Sequence, residues 1–135
     1  SLCDWSSDVC SSDLRMVPAQ GGNPDAPLPV AREKHVVVAE ATGTLSSMRA
    51  INVGIAAWRL GAGRSRQGEQ VQAGAGVEIH AKPGEKITAG SPLFTLHSDD
   101  ADRFPRALEA LQGAVTYSQD GSVAPHLPLI VDRIS

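Results

Sequence analysis

The stretch GVEIHAKPGEKITAGSPLFTLHS, Gly76 to Ser98, sets the tightest limit on what this chain can become. Alternating and β-branched runs are interrupted after a few residues by KPGE and then by AGSP, and Gly and Pro at these points stop a helix or a long strand from continuing. Only short strands joined by turns fit such a text. The same grammar occurs on either side of it. HVVVAE (His35 to Glu40) and TLSSM (Thr44 to Met48) read as an opening strand pair, and AVTYS and PLIVDRIS as two closing strands.

Two helices interrupt the strands. In NVGIAAWRLG, Asn52 is the expected N-cap, Val53, Ala56, Ala57 and Leu60 share one helical face, and Gly61 can end the helix in the left-handed region. For the second helix, Asp100 or Asp102 supplies the cap and Pro105 falls in the tolerant first turn. Phe104, Ala107, Leu108 and Leu111 make its apolar stripe and Gly113 its stop. Between the helices, Gly61 to Gly76 reads as a glycine-rich mobile loop. The order β-β-α-β-β-β-α-β-β defines an α+β domain.

Residues 1–14 fit none of this. DWSSDVCSSDL, Asp4 to Leu14, is rich in Asp and Ser without apolar periodicity, and in codons it resembles one reading frame of a short-read sequencing adapter. The expectation is an artefactual or disordered leader. Of 15 acidic and 12 basic residues, Asp4, Asp8 and Asp13 lie in this leader, which leaves 12 of each. Both cysteines, Cys3 and Cys10, lie there too, so the rest of the chain offers no disulfide, thiolate ligand or thiol nucleophile. A cysteine-free body suits the cytoplasm. With balanced charge and no long apolar run, neither a nucleic-acid partner nor a membrane span is expected. Residues 15–34, with four prolines and two glycines in RMVPAQGGNPDAPLP, read as a linker, and residues 35–135 as one domain. A linker at the start of the native sequence leads to the expectation of a C-terminal fragment.

Candidate chemistry is sparse. LGAGR (Leu60 to Arg64) offers glycine amides and an arginine, but it follows a helix C-terminus, where the helix dipole repels anions. A helix stop and loop is the better reading, with Gly61, Gly63 and Arg64 in it and Arg66 solvated nearby. His80 and His97 fall on neighbouring strands without a third ligand, and His35 and His126 are isolated, so no metal or other cofactor is assigned. Asp99, Asp100 and Asp102 suit capping. No catalytic set is present. Lys82 and Lys86 flank a turn in a segment that resembles lipoyl and biotinyl carrier domains, yet lack the tripeptide context of a modified lysine; a freestanding carrier or binding module is the alternative reading.

Taken in order, MVPAQGG (Met16 to Gly22), GTLSSM, AINVGIAAWRLGAGRSRQGEQV and GAGVEIHAKPGEKITAGSPLFTLHSDD, with RIS closing the chain, resemble the C-terminal domain of the pyrimidine-nucleoside phosphorylase family. The resemblance implies an α/β-hammerhead fold with barrel-sandwich-like hairpins and two short helices. It implies a parent enzyme with a helical lobe and an α/β lobe preceding this domain, usually a homodimer. Such an enzyme uses inorganic phosphate to cleave a pyrimidine nucleoside into its base and a pentose 1-phosphate. The substrate-binding and catalytic positions of the family lie upstream of Met16, so none is carried onto this chain. Support for the large lobe is the expected role, with Gly61, Gly63 and Arg64 in a loop bordering the cleft.

Overall fold

The structure, a computed structural model, describes residues 15–124. It contains six strands, β1 (Glu33–Val38), β2 (Gly43–Met48), β3 (Gly76–Ile79), β4 (Lys86–Ile87), β5 (Pro92–Ser98) and β6 (Val115–Ser118). Helix α1 (Ala50–Ala57) runs into a π-helical turn (Trp58–Ala62), and a 3₁₀ turn (Ala101–Arg103) leads into helix α2 (Phe104–Leu111). The strands form two antiparallel three-stranded sheets, ordered β1-β5-β3 and β4-β2-β6. The α+β class read from the sequence is the fold observed. The last expected strand, PLIVDRIS, and His126 lie outside the described residues.

The pairing differs from the sequence reading, because β1 and β2 belong to different sheets. Burial explains this. Strand β5 buries Leu93, Phe94, Thr95 and Leu96 in succession, so both of its faces are covered, and it is the central strand of its sheet as β2, with Thr44 and Leu45 buried, is of the other. A β1–β2 hairpin would leave one of them at an edge. Instead the chain crosses between sheets at Ala39, which is buried, donates its N–H to Ser91 O at 2.8 Å and accepts from Gly90 N at 2.8 Å. The KPGE turn is likewise no hairpin tip. Strand β3 pairs with β5 and β4 with β2, and the turn between them docks on β2 through Leu45 N to Glu85 O (2.9 Å) and Gly84 N to Leu45 O (2.8 Å). A carrier lysine needs a free tip joining two paired strands, so this geometry counts against Lys82 and Lys86 in that role.

One core joins both sheets to both helices. Leu45 and Ile87 meet Phe94 and Leu96, with Ala56 and Leu60 of the first helical segment and Ala107 and Leu111 of α2. The apolar stripes expected on both helices face this core, with Val53, Phe104 and Leu108 partly buried against it. Asn52 does not cap. The residue before α1 is Arg49, without a side-chain cap, and Asn52 Nδ2 instead donates to Ala110 O at 2.8 Å, tying α1 to α2. Asp100 does cap, its carboxylate accepting from Asp102 N at 3.1 Å.

The connector at residues 15–34 has some structure of its own. Residues 15–19 are helical, and Gln20 N donates to Met16 O at 3.1 Å. Ala31 is buried, and a Cβ on Gly74 would lie 2.5 Å from Ala31 N, so only glycine lets the connector pass so close. Phe94, 1% exposed, sits at the meeting point of these layers. Phe94→Ala should cost about 3–5 kcal/mol, read as a lowered urea midpoint with an unchanged slope. Exposed Val36→Ala should change stability by under about 0.5 kcal/mol and leave the midpoint nearly in place.

Candidate functional site

The segment expected to matter begins where α1 ends. Gly61 takes φ 112° and ψ 5° inside the π-turn, so the chain leaves the helix through a left-handed residue, as the sequence implied. The exposed carbonyls of a helix end need donors. Ser98, fully buried at the end of β5, places its hydroxyl 2.8 Å from Leu60 O, and Gln72 N donates to Gly61 O at 2.9 Å. Gln72 Oε1 accepts from Asp99 N at 2.8 Å and lies 3.1 Å from Ser98 Oγ. A Cβ on Gly61 would meet the Gln72 side chain at 2.8 Å. The sequence reading named neither Ser98 nor Gln72; a buried serine at a strand end gives no signal in periodicity or motif.

Beyond Gly61 the loop is stitched down at several points. Trp58 Nε1 donates to Arg64 O at 2.9 Å, and the indole lies against Gly63, where a Cβ would come 2.8 Å from Trp58 Cδ1. Gly63 is extended (φ −145°, ψ 162°). Glu69 Oε2 accepts from Ser65 N at 2.7 Å and Ser65 Oγ at 2.5 Å, while Glu69 Oε1 pairs with Arg103 at 3.5 Å. These donors, the Ser65 hydroxyl first, hold the Glu69 carboxylate well below its ordinary range, from 4.5 to about 2. Arg64 and Arg66 are exposed. Gly61, Gly63 and Arg64 thus lie together in one turn.

Between this loop and the start of α2 is an open cavity of about 270 Å³, whose walls include Trp58, Arg59, Glu69, Asp100, Arg103 and Arg106. Arg59 Nη1 donates to Arg106 O at 2.6 Å and pairs with Glu109 at 2.8 Å. Arg103 pairs with Asp100 at 3.6 Å as well as with Glu69. The Arg59 and Arg103 guanidinium groups are matched by carboxylates, and across the lining Arg59, Arg103 and Arg106 are balanced by Glu69, Asp100 and Asp102, which makes this a neutral polar recess rather than an anion trap.

The other candidates do not converge. His80 Nε2 bonds Thr95 Oγ1 at 2.7 Å, whereas His97 faces Glu78 at 3.3 Å. His35 packs on Phe104 with ring centroids 5.6 Å apart. Asp99 accepts from Arg32 N at 3.1 Å. Among the described residues no cluster of three His, Cys, Asp or Glu could hold a metal ion, and no helix is long and apolar enough to cross a membrane.

Comparison with known proteins gives the family of the chain. Residues 44–118 match the pyrimidine nucleoside phosphorylase C-terminal domain. The chain is 50% identical over 120 residues to thymidine phosphorylase of Mycobacterium tuberculosis, covering 89% of this chain and 28% of the relative. It is 35% identical over 101 residues to the human thymidine phosphorylase, covering 75% and 21%, and 34% identical over 91 residues to that of the mouse, covering 67% and 19%. The chain thus spans less than a third of the length of these relatives.

Because the folded Glu69 titrates below 4.5, its hold on the loop is complete above that pH and is lost as pH falls towards 2. Carbon-detected NMR of the Glu69 carboxyl should show a midpoint near 2. In Ser65→Ala it should move up towards 4.5, and an unmoved midpoint would refute the hydroxyl as the main cause.

Proposed function

Since the chain belongs to the pyrimidine nucleoside phosphorylase C-terminal domain family, we propose that it serves as the C-terminal portion of a thymidine phosphorylase. The reaction is reversible phosphorolysis: phosphate attacks the anomeric carbon of thymidine, the glycosidic bond breaks, and thymine and 2-deoxyribose 1-phosphate are released. Such chemistry calls for donors that stabilise charge on phosphate and on the departing base. In this reading those groups belong to the preceding lobes, and residues 35–135 support the large lobe without catalysing alone. The parent is a cytoplasmic homodimer that binds phosphate and a pyrimidine nucleoside, without nucleic acid or membrane.

The observation that carries this reading is the family match from β2 through β6, which includes the Leu60–Arg64 turn. Within that turn, Gly61, Gly63 and Arg64 border the substrate cleft and adjust as the lobes close. The neutral recess beside the loop supports a mechanical role over a phosphate-binding one.

The test is a chimera in which residues 15–135 replace the matching part of the mycobacterial relative. It should phosphorolyse thymidine, and the 135-residue chain alone should not. A folded but inactive chimera, or turnover by the isolated chain, would overturn the reading. Within the chimera, Gly63→Pro should lower turnover more than it lowers Tm, since proline fits neither φ −145° nor the Trp58 contact. Unchanged activity would remove the loop from the cleft.

A further inference from the structure

Helix α1 is apolar on nearly every side, the pattern of a helix covered all round. Its inner face is covered by the core, but Ile51, Ile55 and Trp58 are 64%, 38% and 42% exposed. Their i, i+4, i+7 spacing puts them on one stripe. The Trp58 N–H is already bonded to Arg64 O, so the outward part of the indole is apolar. Gly54 lies among these three, and a Cβ there would meet nothing within 4 Å. Glycine weakens a helix interior relative to alanine, and no contact within the described chain gives a reason for it. Three large side chains around a notch without one form a surface that another backbone can approach closely.

We propose that the Ile51–Gly54–Ile55–Trp58 stripe is the docking face for the part of the parent chain that precedes this domain. The inference rests on the function proposed above and adds the contact surface. Two observations select this occupant. The matched family is a C-terminal domain and the mycobacterial relative is covered over only 28% of its length, so most of that chain lies outside the matched part. The stripe also leads directly into the turn at Trp58–Ala62 and the loop beyond it, so a partner seated on it meets the loop that borders the cleft.

Cysteine accessibility tests this. In the chain with Cys3→Ser and Cys10→Ser, Ile55→Cys should react freely with maleimide. In the chimera the same position should react at least roughly tenfold more slowly, read peptide by peptide by mass spectrometry. Lys82→Cys should react alike in both. Equal rates at Ile55→Cys in an active chimera overturn the docking face alone, protection in an inactive chimera overturns the functional reading alone, and equal rates in an inactive chimera overturn both. Slow labelling already in the isolated chain also overturns the docking face. Relief on dilution would then identify a second copy as the occupant, and relief on deleting residues 125–135 the chain's own C-terminal segment.

Discussion

A single buried hydroxyl holds three parts of this domain in register. Ser98 ends the central strand of one sheet, approaches the last carbonyl before the left-handed turn of α1, and lies within 3.1 Å of the Gln72 side chain that brings the long loop back. Leaving a buried carbonyl such as Leu60 O without a donor costs about 1–3 kcal/mol. The larger effect is geometric: the exit direction of the helix, and with it the position of Gly63, Arg64 and Glu69, follows from this one junction. The glycine at 61 is the other half of the same arrangement, since any side chain there would collide with Gln72.

Charge plays a different part. Around the recess beside the loop, arginines and carboxylates neutralise one another through Arg59–Glu109, Arg103–Glu69 and Arg103–Asp100. Solvent screening leaves partly exposed pairs of this kind with little net stabilisation, so their value is positional. They fix where the loop lies against α2 while giving this end of the domain no strong field. Stability comes instead from the apolar layer around Phe94, Leu96, Leu45 and Leu60.

Much of this was legible in the residues. Both helices, their stripes, the Asp100 cap and all six described strands follow from period, capping chemistry and Gly/Pro punctuation. Pairing was not. Whether β1 pairs with β2 or with β5 depends on which strand takes the centre of each sheet, a tertiary demand that no local window contains. Asn52 misled because cap residues and inter-helix tethers share the same amide; only the position of Ala110 separates them. At the candidate site, Gly61, Gly63 and Arg64 were named through glycine content and resemblance, and the structure shows only that they share one turn. Gln72 and Ser98 escaped because a hydrogen-bond node is a property of three segments at once.

The strand order has a temporal consequence. Glu33 pairs with Ser98, 65 positions later, and Thr44 with both Lys86 and Ser118, 42 and 74 positions later, so the first strand of each sheet waits for distant partners. Contacts of such separation close slowly. On a ribosome, β1 and β2 emerge with no sheet to join; the β1-β5-β3 layer can shut only once Ser98 is made and the β4-β2-β6 layer only once Ser118 is. Any polypeptide ahead of it would therefore be folded, or waiting, before this domain takes shape.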